Sequence, residues 1–174
     1  KVVDANTDVQ SVIAELGLPF IIKPGREGSS LGVAKVSLAD DFGSAVKAAL
    51  AYDELVIAER YIKGGEYTLS IVAGQTLPMI RLETPHEIYD YAAKYLVDTT
   101  SYICPCGLSA ADEAAAAALG LRAFEALDGS GWGRVDFMRD AQGRMWLIEL
   151  NTVPGMTDHS LVPMAARQDG WTFE

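Results

Sequence analysis

Apolar positions change period several times along the chain, and each change marks an element. Val9, Val12, Ile13 and Leu16 recur at helical spacing, with Thr7 or Asp8 as a cap and Gly17 as a stop, which predicts a first helix. Phe20 to Lys23 and Val33 to Val36 read as strands joined by the glycine loop KPGREGSSLG. A helix follows over Asp40 to Leu50. Strands are expected over Leu55 to Arg60 and Glu66 to Val72 around a Gly64-Gly65 bend, and Gly74 turns the chain into a further strand over Thr76 to Leu82. Ser109 caps an Ala-rich helix reaching Leu127. From Glu83 to Leu108 no period is strong, and an irregular segment of that length, containing YDYAAKY, is expected to be functional or mobile. Helices and strands do not alternate strictly and nothing repeats, so the predicted class is α+β with mostly antiparallel sheet.

The last alternating stretch, RVDFMRDAQGRMWLIELN from Arg134 to Asn151, carries polar groups between apolar ones. Asp140-Ala141-Gln142-Gly143 reads as its turn. For a tight loop with an even number of residues, Asp136 faces Leu147 and Arg134 faces Glu149, and alternation adds Asn151 to the same side. Arg134, Asp136, Glu149 and Asn151 then form one cluster on a single sheet face. A carboxylate removed from water is costly unless paired, hydrogen-bonded or metal-bound. Two carboxylates and an amide oxygen are hard donors that suit Mg²⁺ sharing oxygens with a phosphate substrate. The hairpin alone leaves open a surface ion pair between Arg134 and Glu149, with Asp136 and Asn151 merely solvated.

Composition narrows the class. At 174 residues, 49% hydrophobic and 22% charged, the chain is long enough for one domain or two small subdomains sharing a cleft. A net charge of -10 without clustered Lys and Arg argues against a nucleic-acid surface. No apolar run reaches the roughly 20 residues of a membrane helix. Cys104 and Cys106, with only Pro105 between them, are too close for an ordinary structural disulfide and have no nearby His for zinc. They are expected to be reduced thiols of a cytoplasmic protein. No signal peptide is visible at Lys1, and both ends suggest a piece of something larger.

A second candidate site lies in the loop from Lys23 to Gly32. It offers a cation at a strand end, and glycines at 25, 28 and 32 that let backbone N–H groups approach a phosphate. It lacks the order of a P-loop. A kinase-like glycine loop is the nearer analogue, and an ordinary hairpin turn is the alternative. Glu59, Arg60 and Glu66 flank a strand end that suits a purine and ribose, or are solvated loop charges. Lys94 and Tyr95 suit a lid over a substrate. Gly155 permits close backbone approach, and Ser160 is placed to open a helix whose N-terminus attracts a carboxylate. His159 beside it lacks the setting of a catalytic dyad, and His86 reads as a loop residue.

Four motifs in this order, GLPFIIKPGREGSSLG, YDYAAKY, GWGRVDFM and LIELNTVPGMTDHSLVPMAA, closely resemble the D-alanine–D-alanine ligase family over nearly the whole chain. The resemblance implies the ATP-grasp fold, with two α+β subdomains enclosing ATP and Mg²⁺. Here they would be residues 1–62 with the glycine loop and 63–174 with the lid loop and metal site, the latter without the family's C-terminal helix. It implies Asp136, Glu149 and Asn151 as ligands of two Mg²⁺ ions, or Mn²⁺, with Glu149 bridging them. Lys23, Lys94 and Ser29 match positions at the ATP phosphates. Glu59, Arg60, Ile62 and Glu66 match adenine and ribose positions, with Arg60 where the family often has Lys. Arg134 and the Gly155 N–H match the groups that meet the tetrahedral intermediate, and Ser160 with Leu161 matches the site for the second D-alanine's carboxylate. Ser29, Tyr95, Arg134 and Ser160 form the implied catalytic set, and Tyr95 implies a dipeptide rather than an ester product.

The implied reaction moves the γ-phosphoryl of ATP to one D-alanine's carboxylate. A second D-alanine's amine then displaces phosphate, giving a peptidoglycan precursor. Two departures stand out. Ala92 occupies a lid position that is usually acidic, and the family's N-terminal domain, which anchors the first D-alanine, is not in this sequence. The chain is therefore expected to be the ATP-binding portion, inactive alone, of an enzyme that dimerises mainly through that domain. The alternatives are a Mg·ATP-binding module without ligase activity and an ATP-grasp ligase for another acid and amine.

Overall fold

The structure is a computed structural model that describes residues 1–28, 30–84 and 100–172. Ser29, Lys94 and Tyr95, with His86 and Ala92, lie outside the described residues. Two compact units are resolved, Lys1–Tyr61 with Thr84–Thr100, and Ile62–Glu83 with Ser101–Glu174.

The first unit contains β1 (Val2–Val3), α1 (Val9–Leu16), β2 (Phe20–Pro24), β3 (Ala34–Val36), α2 (Phe42–Leu50) and β4 (Val56–Arg60). The sheet order is β1-β4-β2-β3, antiparallel throughout. Phe20, Ile22, Val36, Val56 and Ala58 turn one sheet face onto Val12 of α1 and Phe42, Val46 and Ala49 of α2. The alternate positions Ile21, Lys23, Ile57 and Glu59 therefore share the opposite face. Asp8 caps α1 by accepting from the Gln10 N–H, as its sequence predicts. The helix expected from Asp40 is divided, with a 3₁₀ turn over Ala39–Asp41 preceding α2. Two-residue β1 is too short to show a period.

The second unit contains β5 (Gly64–Val72), β6 (Gln75–Thr76), β7 (Ile80–Glu83), β8 (Ser101–Ile103), α3 (Ala110–Ala126), β9 (Trp132–Asp140), β10 (Met145–Asn151) and α4 (Leu161–Gln168). Its sheet order is β10-β9-β5-β7-β8, with β6 beside β5. Leu69, Ile71, Val135 and Phe137 pack on Ala116 and Phe124 of α3. Ile80, which pairs with Thr68, packs instead on Ala165 of α4, so the two helices cover different faces. Gly64 and Gly65 do not bend the chain. They begin β5 and pair with Asp140 and Arg139, close enough that a Cβ on Gly64 would run into the Arg139 carbonyl. β8 lies where the sequence shows no period, because all three of its residues are exposed and give no alternation.

Cys104 and Cys106 are free, and burial first of all raises both thiols above their ordinary value. Among the described residues no helix is long and apolar enough to cross a membrane.

The β9–β10 turn is held by Asp140. Its carboxylate accepts from the Gln142 and Arg144 N–H groups at 2.9 Å, from Arg144 Nε at 2.8 Å and from Trp146 Nε1 at 2.9 Å. The Trp146 indole first, with the Arg144 N–H and guanidinium, lowers its pKa to about 2. Because the folded value lies below the ordinary 3.8, the stability it confers is present above about pH 4 and is lost as pH falls through about 2. Asp140→Asn should lower neutral-pH stability and flatten the acid limb of a urea-melt series between those values. An unchanged slope would exclude this role.

Candidate functional site: the polar face of the β9–β10 hairpin

The turn loop contains three residues, with Asp140 and Arg144 closing it and Gly143 at φ 81°. Met145, Trp146 and Leu147 then pair with Arg139, Met138 and Phe137. Continued without interruption, that register would set Ile148 opposite Asp136 and turn Glu149 toward α3. A bulge at Ile148 absorbs one residue. Beyond it Glu149 pairs with Asp136, Leu150 with Val135 and Asn151 with Arg134.

The expected pairings are thus corrected: Asp136 faces Glu149, not Leu147, and Arg134 faces Asn151, not Glu149. The odd loop displaces the register by one residue and the bulge by another, so the two shifts together preserve side-chain parity. The expected cluster of Arg134, Asp136, Glu149 and Asn151 on one face is present.

Asp136 is 8% exposed. Its Oδ1 accepts from Thr68 Oγ1 at 2.6 Å and Arg134 Nε at 2.8 Å. Its Oδ2 accepts from Arg134 Nη2 at 2.8 Å and Asn151 Nδ2 at 3.0 Å. The ion pair therefore joins Arg134 to Asp136 on the same strand, which replaces the Arg134–Glu149 surface pair and the solvated Asp136 of the open alternative. Charge-assisted bonds from both guanidinium nitrogens offset the desolvation of this carboxylate.

Asn151 Nδ2 also lies 3.4 Å from Glu149 Oε1, so one amide stands between two carboxylates. Turning that amide over would present its oxygen in the same place. Two carboxylates and an amide oxygen then make an all-oxygen donor set, which fits a hard divalent cation and not zinc. Among the described residues no group of three His, Cys, Asp or Glu side chains is placed for a metal, so the amide is needed to complete this set.

In the first unit Lys23 Nζ lies 2.8 Å from Glu59 Oε2 on the open sheet face. Arg60 ends β4, Ile62 follows it, and Glu66 lies on β5 of the second unit, on the face shared with Asp136. Part of the glycine loop is already engaged. The Gly25 N–H donates to the Leu55 carbonyl at 2.7 Å and the Arg26 N–H to Asp53 Oδ2 at 2.8 Å. A Cβ on Gly25 would meet the Leu55 side chain at 2.7 Å, so this glycine serves packing.

Gly155 and Ser160 are brought together: a Cβ at 155 would lie 2.9 Å from Ser160 Oγ. That hydroxyl accepts from the Thr157 N–H at 3.0 Å, and Ser160 is the N-cap of α4, whose first residue is Leu161.

The family described as D-ala D-ala ligase C-terminus matches residues 2–174. The chain belongs to this family. A D-alanine–D-alanine ligase of Alkalilimnicola ehrlichii is 55% identical over 168 residues, which are 97% of this chain and 54% of the relative. One from Acinetobacter baumannii is 52% identical over 176 residues, 100% of this chain and 57% of the relative. The solved D-alanine–D-alanine ligase from Bacillus anthracis complexed with ATP has a TM-score of 0.82 at 29% identity, covering 99% of this chain and 55% of that one. VanG D-Ala:D-Ser ligase from Enterococcus faecalis gives 0.82 at 30% identity, covering 94% and 49%. The chain shares the ATP-grasp, α+β fold of these ligases and spans about half the length of the curated relatives it matches.

Within this ligase family's C-terminal portion, the hairpin cluster has a partner that sequence reasoning missed. Thr68 reaches Asp136 from β5. The alternation of Glu66, Thr68 and Ser70 puts them on one face, but only the β5–β9 register aligns Thr68 with Asp136.

Proposed function

We propose that the protein containing this chain joins two D-alanines with ATP through an acyl phosphate, to make a peptidoglycan precursor, and that this chain is its ATP- and metal-binding portion. The observation that carries this is the set of Asp136, Glu149 and Asn151 on one hairpin face, in a chain 55% identical to a D-alanine–D-alanine ligase.

Asp136, Glu149 and Asn151 would hold two Mg²⁺ ions, or Mn²⁺ in their place, with Glu149 available to both. When bound, the metal neutralises phosphate charge. Lys23, Lys94 and Ser29 bind the phosphates, with Lys23 oriented by Glu59. Glu59, Arg60, Ile62 and Glu66 bind adenine and ribose. The first carboxylate attacks the γ-phosphorus and ADP leaves. The free amine of the second D-alanine adds to the acyl carbon, and phosphate departs as the tetrahedral intermediate collapses. Arg134 and the Gly155 N–H donate to the oxyanion in that intermediate. Ser160 and Leu161, at the positive end of α4, hold the second carboxylate. Tyr95 favours the amide product. The enzyme acts in the cytoplasm and dimerises mainly through its N-terminal domain.

One observation favours a second reading. The match to a D-Ala:D-Ser ligase supports a different second amine.

Calorimetry on this chain should show Mg²⁺-dependent ATP binding that Glu149→Gln reduces at least tenfold. Equal binding with and without Mg²⁺ would refute the metal assignment. With the N-terminal domain supplied as a second chain, phosphate release with D-alanine alone supports the first reading. Release only when D-serine is added supports the second.

A further inference from the structure

We propose that Thr68 is a positioning residue for the cation-binding carboxylate, its hydroxyl fixing Asp136 so that Oδ2, and not Oδ1, is the oxygen offered to a divalent cation. The inference rests on the metal reading above and concerns a residue outside that donor set.

Thr68 is 1% exposed at the centre of β5, directly across from Asp136 on β9. Its hydroxyl lies 2.6 Å from Asp136 Oδ1 and 3.5 Å from the Val135 carbonyl, so the carboxylate is the stronger acceptor for its proton. A β-branched side chain has few rotamers, and this one sits in a strand paired on both sides by β7 and β9. Oδ1 also accepts from Arg134 Nε at 2.8 Å, but its shorter bond comes from a donor anchored by the sheet itself.

Oδ2 is held differently. One of its donors is the tip of Arg134, and the other is Asn151 Nδ2, an amide that must turn its oxygen inward to act as a ligand. That turn removes a donor from Oδ2 and leaves Oδ1 as it was. The asymmetry selects Oδ2 as the ligating atom. Without the Thr68 hydroxyl, Oδ1 keeps only Arg134 Nε, and the difference between the two oxygens that makes Oδ2 the freer one is lost.

The same strand contains its own control. Ser70 is also 1% exposed and lies on the same face, but its hydroxyl has no hydrogen-bond partner among the described residues. Removing it deletes a buried hydroxyl without touching Asp136.

The test is Mn²⁺ binding to the 174-residue chain, read by electron paramagnetic resonance of free Mn²⁺ with and without ADP, alongside circular dichroism and a thermal melt. Partners that orient metal ligands commonly account for ten- to a hundredfold in affinity. Thr68→Val, nearly isosteric, should weaken Mn²⁺ binding about tenfold, with Thr68→Ala as a second deletion should the valine variant fail to fold. Thr68→Ser should restore affinity to within about twofold, and Ser70→Ala should stay within about twofold. A folded Thr68→Val or Thr68→Ala chain that binds Mn²⁺ like the unsubstituted one overturns the inference, as does an equal loss in Ser70→Ala. Absence of Mn²⁺ binding by the unsubstituted chain is a different failure, since it overturns the metal reading together with any role for Thr68 in it.

Discussion

Arg134→Met should destabilise the chain by about 3 kcal/mol, because breaking a buried ion pair from one side leaves a charge uncompensated. Two of the hydrogen bonds on Asp136 come from this guanidinium, at 2.8 Å each. Thr68 and Asn151 remain, but both are neutral donors and cannot replace the lost charge. The comparison that isolates the pair is Arg134→Met with Asp136→Leu, which removes both charges. Replacing a buried pair by apolar side chains is often close to neutral, so the double variant should recover at least half of the loss. Urea melts measure both. A double variant as unstable as the single one would show that Arg134 contributes by packing and not by its charge.

Gly64→Val should be the more damaging of two glycine substitutions, costing roughly 3 kcal/mol or more, the range in which severe overpacking falls. A side chain at 64 meets the backbone carbonyl of Arg139, which no rotamer change can move. The strand cannot retreat, because β5 is bonded to β9 along its length and to β7 on its other edge. Gly43 gives the opposite sign. It is an exposed residue of α2 with nothing within 4 Å of a Cβ, so Gly43→Ala should stabilise by up to about 1 kcal/mol through helix propensity. Thermal melts of the two variants should move in opposite directions. Equal shifts would mean that the β5–β9 approach is not limiting.

How much of this was legible in the sequence depended on burial contrast. Strands with a covered and an open face, such as β2 with Phe20, Ile22 and Pro24 buried, declare themselves by alternation. β8 has no buried face and leaves no trace. Gly64 and Gly65 have the composition of a turn, and only tertiary pairing makes them a strand start. The hairpin cluster was legible because its members keep the right parity. Its register was not, since the three-residue loop and the bulge each depend on backbone geometry that residue types express weakly. The Lys23–Glu59 pair and the Thr68–Asp136 bond join strands far apart in sequence, and neither side chain carries a local sign of its partner.

The extra residue at Ile148 makes the hairpin unequal in its response to changes of length. Delete Ile148, and Leu147 still meets Phe137 while Glu149, Leu150 and Asn151 still meet Asp136, Val135 and Arg134, now in an unbroken ladder. Add a residue there while the bulge still absorbs only one, and Glu149 and Asn151 are carried round to the side that α3 covers. Over evolutionary time this strand can therefore lose one residue at that point and keep Glu149 and Asn151 on the face of Asp136, whereas a gain of one puts that placement at risk.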